Sequence, residues 1–240
     1  MSLSVLVSDA SIPCAVSLAA SFRATGASVA LLSPGDSGVA PAREPDRSCG
    51  GCLIEPKWKR SSPLSARTAL LDVSTRLSGP DAAVVVFDAT ALSAPLSAAE
   101  SPSVIVDSLV TGYVHLAREL CAAFERRGRG RLAFVRTRRA VSAIPGHAGT
   151  AVEPASAALA VSLAEAAFSR LAEETARWIV ARGSRDLSCL LVSRGPSVPD
   201  ERIVPWLASR VITGRGVVSR SRSLTTWVPA LAPEILGFLP

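Results

Sequence analysis

Few residues in this chain can do chemistry, and the most telling of them is a carboxylate. Asp9 sits in the run Ser8-Asp9-Ala10-Ser11-Ile12-Pro13-Cys14-Ala15, directly after a short apolar stretch. A turn between a strand and a helix can cradle a phosphate, because glycines let the backbone approach and the helix N-terminus favours negative charge. This turn has no glycine. Pro13 lacks the backbone N–H that could face a phosphate. Ile12 and Pro13 add bulk, and Asp9 adds charge of the wrong sign. Two like unit charges about 4 Å apart repel by roughly 4 kcal/mol at an effective dielectric of about 20. The favoured reading is that Asp9 satisfies the helix N-terminus itself, with Ser11 as the N-cap.

The other reactive groups are scattered. Cys49 and Cys52 have C-x-x-C spacing, but one pair without a second pair or nearby histidines is a weak metal or redox signal, so no metal is expected. His147, in the loop "IPGHAGT", is a weak candidate for an acid/base group; a surface loop histidine is the simpler reading. His115 falls within a helical stretch beside Tyr113, the single tyrosine. Arg136, Arg138 and Arg139 follow a strand at the end where α/β sheets bind ligands. They suit either an anion pocket or a salt bridge to Asp88, and the salt bridge is preferred.

The elements that must position these residues alternate along the chain. Apolar runs at 3–8, 28–33, 52–56, 82–89, 131–137, 187–193 and 215–219 read as strands. Stripes at helical spacing cover 65–78, 103–127, 155–182 and 201–210, and the first helix follows Ser11 and ends near Gly26. Residues 34–51, rich in Gly, Pro and Ser, read as an irregular loop where a helix would ordinarily follow the second strand. This order predicts a three-layer α/β fold, a doubly wound parallel sheet of about seven strands, in one domain spanning 1–240. The apolar tail 228–240, with Leu231, Ile235, Leu236, Phe238 and Leu239, is expected in an oligomer interface.

Composition narrows the classes. The hydrophobic fraction is 48% and the charged fraction 19%, which argues against disorder. A net charge of +6 permits nucleic-acid binding, but the basic residues are dispersed, so that partner is not expected. No run is long and apolar enough to read as a membrane span, and the first residues do not read as a signal peptide. Together with five cysteines, an odd set suited to reduced thiols, this predicts a cytoplasmic location.

Order and spacing resemble the short-chain dehydrogenases/reductases over nearly the whole length. "VLVSDASIPCAVSLAASFRATGASVALLS" stands where that family has its TGxxxGxG turn and first βαβ unit. "RLSGPDAAVVVFDAT" resembles the approach to its NNAG, and "VIVDSLVTGYVHLARELCAAFERRGRGRLAFVRT" its central helix and serine-bearing strand. "VEPASAALAVSLAEAAFSRLAEE" resembles the helix carrying YxxxK. The resemblance implies a Rossmann-like sheet and, in a typical member, a nicotinamide coenzyme.

Carried over residue by residue, the resemblance implies that the working groups are gone. The turn's glycines fall on Asp9, Pro13 and Ala15, and the NNAG stretch begins at Phe87 and Asp88. The position for the adenosine ribose falls on Ser33 and Pro34; Asp36 could supply the acid if the loop is displaced, but its preferred role is in the turn "PGDSG". The asparagine, serine, tyrosine and lysine of the tetrad fall on Leu109, Thr137, Val152 and Ser156. Val152 has no proton to give, and loss of a general acid alone slows catalysis roughly 10²–10⁴-fold. The reading that results is a catalytically inactive protein with no cofactor, acting as a structural or regulatory subunit. Its assembly would use the helices 103–127 and 155–182 and the tail, in a homo-oligomer or with an active paralogue. The competing expectation is an oxidoreductase of the 3-oxoacyl reductase type using NAD or NADP, with His147 or Thr137 in the missing roles.

Overall fold

The computed structural model describes residues 2–35, 51–88, 91–92, 107–138, 155–183, 186–195, 198–213 and 227–229. These residues hold nine strands and five α-helices. The strands are β1 (Ser4–Val7), β2 (Ser28–Leu31), β3 (Ser33–Pro34), β4 (Leu53–Ile54), β5 (Lys57–Trp58), β6 (Ala82–Asp88), β7 (Gly130–Thr137), β8 (Leu187–Arg194) and β9 (Val228–Pro229). The helices are α1 (Pro13–Ala24), α2 (Pro63–Leu77), α3 (Gly112–Arg127), α4 (Ala155–Ala181) and α5 (Asp200–Thr213).

Seven strands form one sheet in the order β4-β2-β1-β6-β7-β8-β9, and every pairing is parallel. Strands buried on both faces need unbroken apolar runs, which is why β1 and most of β6 are buried throughout. The order runs outward in both directions from β1 and β6. A crevice therefore opens at their carboxyl ends, where such sheets bind ligands. Helices α1 and α5 pack together on one face, while α2, α3 and α4 cover the other.

Most expected elements stand within two residues of their expected ends; the strand expected over 52–56 is reduced to β4, and the helix expected over 201–210 is longer. The helix expected over 103–127 is α-helical from Gly112, after a π-helical turn at Asp107–Thr111, with 103–106 outside the described residues. The expected strand at 215–219 lies outside the described residues, and the seventh sheet strand is β9, at the start of the expected tail. Val228 pairs with Val192, so these first tail residues join the sheet. Pro229 suits an edge strand, where a missing donor is harmless. The rest of the tail, 230–240, lies outside the described residues.

The stretch 34–51 also differs from a plain loop at its start. Ser33 and Pro34 pair in parallel with Lys57 and Trp58 as a separate two-stranded sheet. No helix is described between β2 and β4, and α2 joins β4 to β6 beside α3. The chain therefore passes from β5 to α2 as a short strap, residues 59–62, over the carboxyl end of the sheet.

Gly112 fixes where that strap lies. A Cβ there would stand 2.5 Å from the Arg60 carbonyl oxygen, 2.6 Å from its Cα and 2.7 Å from its Cβ. Only a bare backbone lets the strap touch the start of α3. Gly to Ala in a helix ordinarily stabilises by roughly 0.5–1 kcal/mol. Here Gly112→Ala is expected to destabilise by about 1–3 kcal/mol in urea unfolding, and a stabilised variant would contradict the close contact.

Candidate active site: a closed turn at the end of β1

The turn after β1 keeps the backbone shape of a glycine turn without the glycine. Asp9 has φ 71°, a left-handed conformation that Asp tolerates better than most residues. Hydrogen bonds hold the turn in place: Ser8 N donates to the Val84 carbonyl at 2.9 Å, and Ala10 N to the Leu32 carbonyl at 2.7 Å. Val86 N donates to Ser8 Oγ at 2.9 Å, tying the turn to β6. Ile12 is buried in the core and Pro13 is exposed as the first residue of α1. The expectation that Ile12 fills the ligand space is thus corrected, because its side chain turns inward to pack. Cys14 and Ala15 are buried as well.

The expected cap is also corrected. The N-cap of α1 is Ile12, with no side-chain cap. Ser11 and Asp9 are engaged with each other: Ser11 N donates to Asp9 Oδ1 at 3.2 Å, and Ser11 Oγ donates to the same oxygen. On the other carboxylate oxygen, Tyr113 Oη donates to Asp9 Oδ2 at 3.1 Å and Arg60 Nη2 lies at 2.8 Å. Arg60 Nη2 also donates to Ser11 Oγ at 2.8 Å. The Asp9 side chain is 1% exposed and the Arg60 side chain 20%. A buried carboxylate is tolerable only when paired and hydrogen-bonded, and this one is both.

Tyr113 is fixed from every side. Its ring centroid lies 5.5 Å from Trp58, 5.7 Å from Phe87 and 5.3 Å from Phe168, each edge-on. Burial, reinforced by the Asp9 charge, raises its phenol well above the ordinary value. It therefore donates to Asp9 as a neutral phenol.

A second ion pair closes the far side of the turn. Arg194, at the end of β8, pairs with Asp200 at the start of α5 and donates from Nε to the Val198 carbonyl at 2.7 Å. Ser17 of α1 donates to Asp200 Oδ2 at 3.2 Å. Burial, with the Asp200 charge adding to it, raises the Cys14 thiol to about 11, and Arg194 opposes the rise. Asp200, held by Arg194 and by Ser17, thus ties the start of α5 to β8 and to α1.

The remaining expected site residues are dispersed. Leu109 is fully buried in a π-helical turn, Asp107–Thr111, and contributes only packing. Thr137 is 8% exposed, and its Oγ1 has no hydrogen-bond partner among the described residues. Ser156 lies in the first turn of α4. Val152, His147, Arg139, Asp36 and Cys49 lie outside the described residues. Ser33 is buried in β3, its N–H donating to the Pro56 carbonyl at 2.9 Å.

Of the preferred salt bridge from Arg136, Arg138 or Arg139 to Asp88, strand geometry corrects the Arg136 option. Arg136 is in register with Phe87, and Asp88 with Thr137. Successive side chains point to opposite faces, so Arg136 and Asp88 emerge on opposite sides of the sheet. Arg136 donates to Ser169 Oγ and, at 3.4 Å, to Ser193 Oγ; its guanidinium lies 4.1 Å from the centre of the Trp227 ring. Asp88 Oδ1 accepts from Ala91 N at 3.0 Å. Arg138 is exposed, and its backbone N–H donates to the Arg194 carbonyl at 2.8 Å. Arg136 and Arg138 therefore do not converge on one anion pocket, and Arg139 lies outside the described residues.

Sequence reasoning missed Arg60 and the role of Tyr113. Arg60 is 51 residues from Asp9 in the chain and Tyr113 is 104, so only the fold brings them together. The available signal was an acid with no evident partner in a buried turn. As arranged, the donors around the turn serve the Asp9 carboxylate. Among the described residues no group of three His, Cys, Asp or Glu is placed to hold a metal ion, and no helix is long and apolar enough to cross a membrane.

Two outcomes follow from this geometry. Arg60→Ala leaves a buried, unpaired charge and is expected to destabilise by about 3–5 kcal/mol, and Tyr113→Phe by about 1–2 kcal/mol. The losses should be non-additive in a double-mutant cycle, since both partners meet Asp9 Oδ2; additive, sub-kilocalorie effects would contradict the network. The thiols set a pH dependence. Cys14 and Cys121 are both raised from 9.0 to about 11, so the stability tied to their neutral forms is full below 9 and lost as pH rises through 11. The melting temperature should fall across that window, less steeply in Cys14→Ala; a flat profile would contradict the burial of these thiols.

No family model matches the chain. It is 30% identical over 182 residues to an uncharacterized protein of Treponema pallidum (strain Nichols), covering 75% of this chain and 74% of that one. Among solved structures, it is similar to a short-chain type dehydrogenase/reductase from Mycobacterium marinum, at TM-score 0.58 and 17% identity, with 87% of each chain covered. It is also similar to the NADH-dependent reductase A1-R' complexed with NAD, at TM-score 0.63 and 14% identity, with 95% of this chain and 94% of that one covered. The chain belongs to one family with the Treponema pallidum protein and has the fold of the short-chain dehydrogenases/reductases.

Proposed function

We propose that this protein has left the redox chemistry of its fold and serves as a structural or regulatory subunit of an oligomer. The observation that carries the reading is the Asp9 carboxylate, enclosed by Ser11, Tyr113 and Arg60 in the turn where a coenzyme pyrophosphate would rest. A phosphate there would meet a buried negative charge and would have to displace an ion pair. The tetrad positions add to this: Leu109 is a core residue, and neither Val152 nor Ser156 can stand in for a tuned phenol.

The assembly half of the reading rests on α4 and α3. Leu159 and Leu163, one turn apart on α4, are 72% and 55% exposed, and Val114 on α3 is also exposed. Leucines spaced along a long helix suit burial against a partner helix. The partner is a second copy of this chain or an active paralogue of the same fold.

A second reading keeps an oxidoreductase. It is favoured by Thr137, whose buried hydroxyl has no partner among the described residues and lies at the carboxyl end of β7, and by a solved neighbour that is an NADH-dependent reductase complexed with NAD. One titration separates the two. Fluorescence of NADH and NADPH should show no saturable binding to about 1 mM protein or coenzyme, while native mass spectrometry should show an oligomer that Leu159→Glu with Leu163→Glu disrupts. Saturable micromolar coenzyme binding would overturn the first reading, and an unchanged monomer would overturn its assembly half.

A further inference from the structure

We infer that the Asp9 carboxylate is the built-in occupant of a small oxyanion site made by the chain itself. The inference deepens the closed-turn reading above and rests on it. Four donor groups converge on the carboxylate from separate parts of the chain: Ser11 N and Ser11 Oγ on Oδ1, Tyr113 Oη and Arg60 Nη2 on Oδ2. Donors of this kind, a guanidinium among them, are the ordinary equipment for a carboxylate or a phosphate. The phenol is fully buried and has its acceptor inside the site, so it cannot turn to water instead. The strap that delivers Arg60 is seated on Gly112, which fixes the Arg60 backbone without help from Asp9, and Ser11 Oγ gives the guanidinium a second contact.

The backbone makes the occupant separable from the site. Asp9 holds φ 71°, a conformation that glycine adopts without strain. Asp9→Gly therefore removes the carboxylate and leaves the turn's preferred shape intact. What remains is a pocket faced by a cation, a phenol, a hydroxyl and an N–H, in which the buried Tyr113 phenol has lost the acceptor it had in Asp9. An external oxyanion supplies that acceptor. Formate replaces the missing carboxylate most nearly, and inorganic phosphate tests whether the pocket accepts a tetrahedral ion.

The test is thermal unfolding of the full chain with added sodium formate or sodium phosphate, against sodium chloride at equal ionic strength. The natural protein is expected to show no specific shift. Asp9→Gly should melt lower and regain stability saturably with formate or phosphate in the range of about 1–50 mM. Asp9→Gly combined with Arg60→Ala should lose that response at least about tenfold in midpoint concentration. A folded Asp9→Gly that responds to neither anion, a double variant that responds equally, or a natural protein that responds like the variant would each overturn the inference.

Should Asp9→Gly fail to fold without an anion, refolding yield with and without formate reads the same property. Arg60→Ala reads it from the other side: methylguanidinium is expected to raise its melting temperature by pairing with Asp9, and no rise would overturn the inference. Failure of the parent reading is seen elsewhere. Saturable NADH binding by the natural protein ends the non-catalytic reading, whereas the anion response of Asp9→Gly decides the oxyanion site.

Discussion

A single buried carboxylate organises the ligand end of this molecule. Asp9 is enclosed to 1% exposure, and a charge so placed demands a counter-charge and hydrogen bonds. Those needs determine much of what surrounds it. Arg60 must arrive from the strap after β5, and the strap can come close only because Gly112 has no side chain. Tyr113 must stand beneath the turn, and three aromatic rings hold it there. Elements that meet nowhere else in sequence are thus bound at one point. Breaking such a pair by removing one partner is expensive even where the pair itself adds little net stability.

The same constraint separates shape from function in this fold. The turn retains its left-handed backbone at Asp9, the sheet retains its order, and the crevice at the carboxyl ends of the strands remains where topology puts it. The chemistry that such a crevice could host depends on side chains, and several of these are engaged in internal contacts. Arg60 serves Asp9, Arg194 serves Asp200 across the start of α5, and Leu109 serves the core. Function belongs to the site and not to the scaffold, so the fold alone does not carry an activity over to this chain.

The sheet and its helices were legible from apolar runs and helical stripes, because strands covered on both faces and helices covered on one leave strong periodic signals. The two-residue strands were not: β3 and β5 hold their register through two pairs each, and β9 begins in a stretch that reads as a tail. At the site, the absence of glycine from residues 8–15 could be read directly. The arrangement of charges could not. Asp9 read as a helix cap, since acids near helix starts usually are; its true partners lie far along the chain. Arg136 read as a partner for Asp88 because they sit on neighbouring strands, but one-residue offset in register puts them on opposite faces.

The most direct measurement is a crystal structure of the natural protein grown with millimolar NADH. The account expects Arg60 Nη2 in contact with Asp9 Oδ2 and Ser11 Oγ, with no coenzyme density over residues 8–15. A coenzyme lying across that turn, with Arg60 drawn away from Asp9, would contradict it.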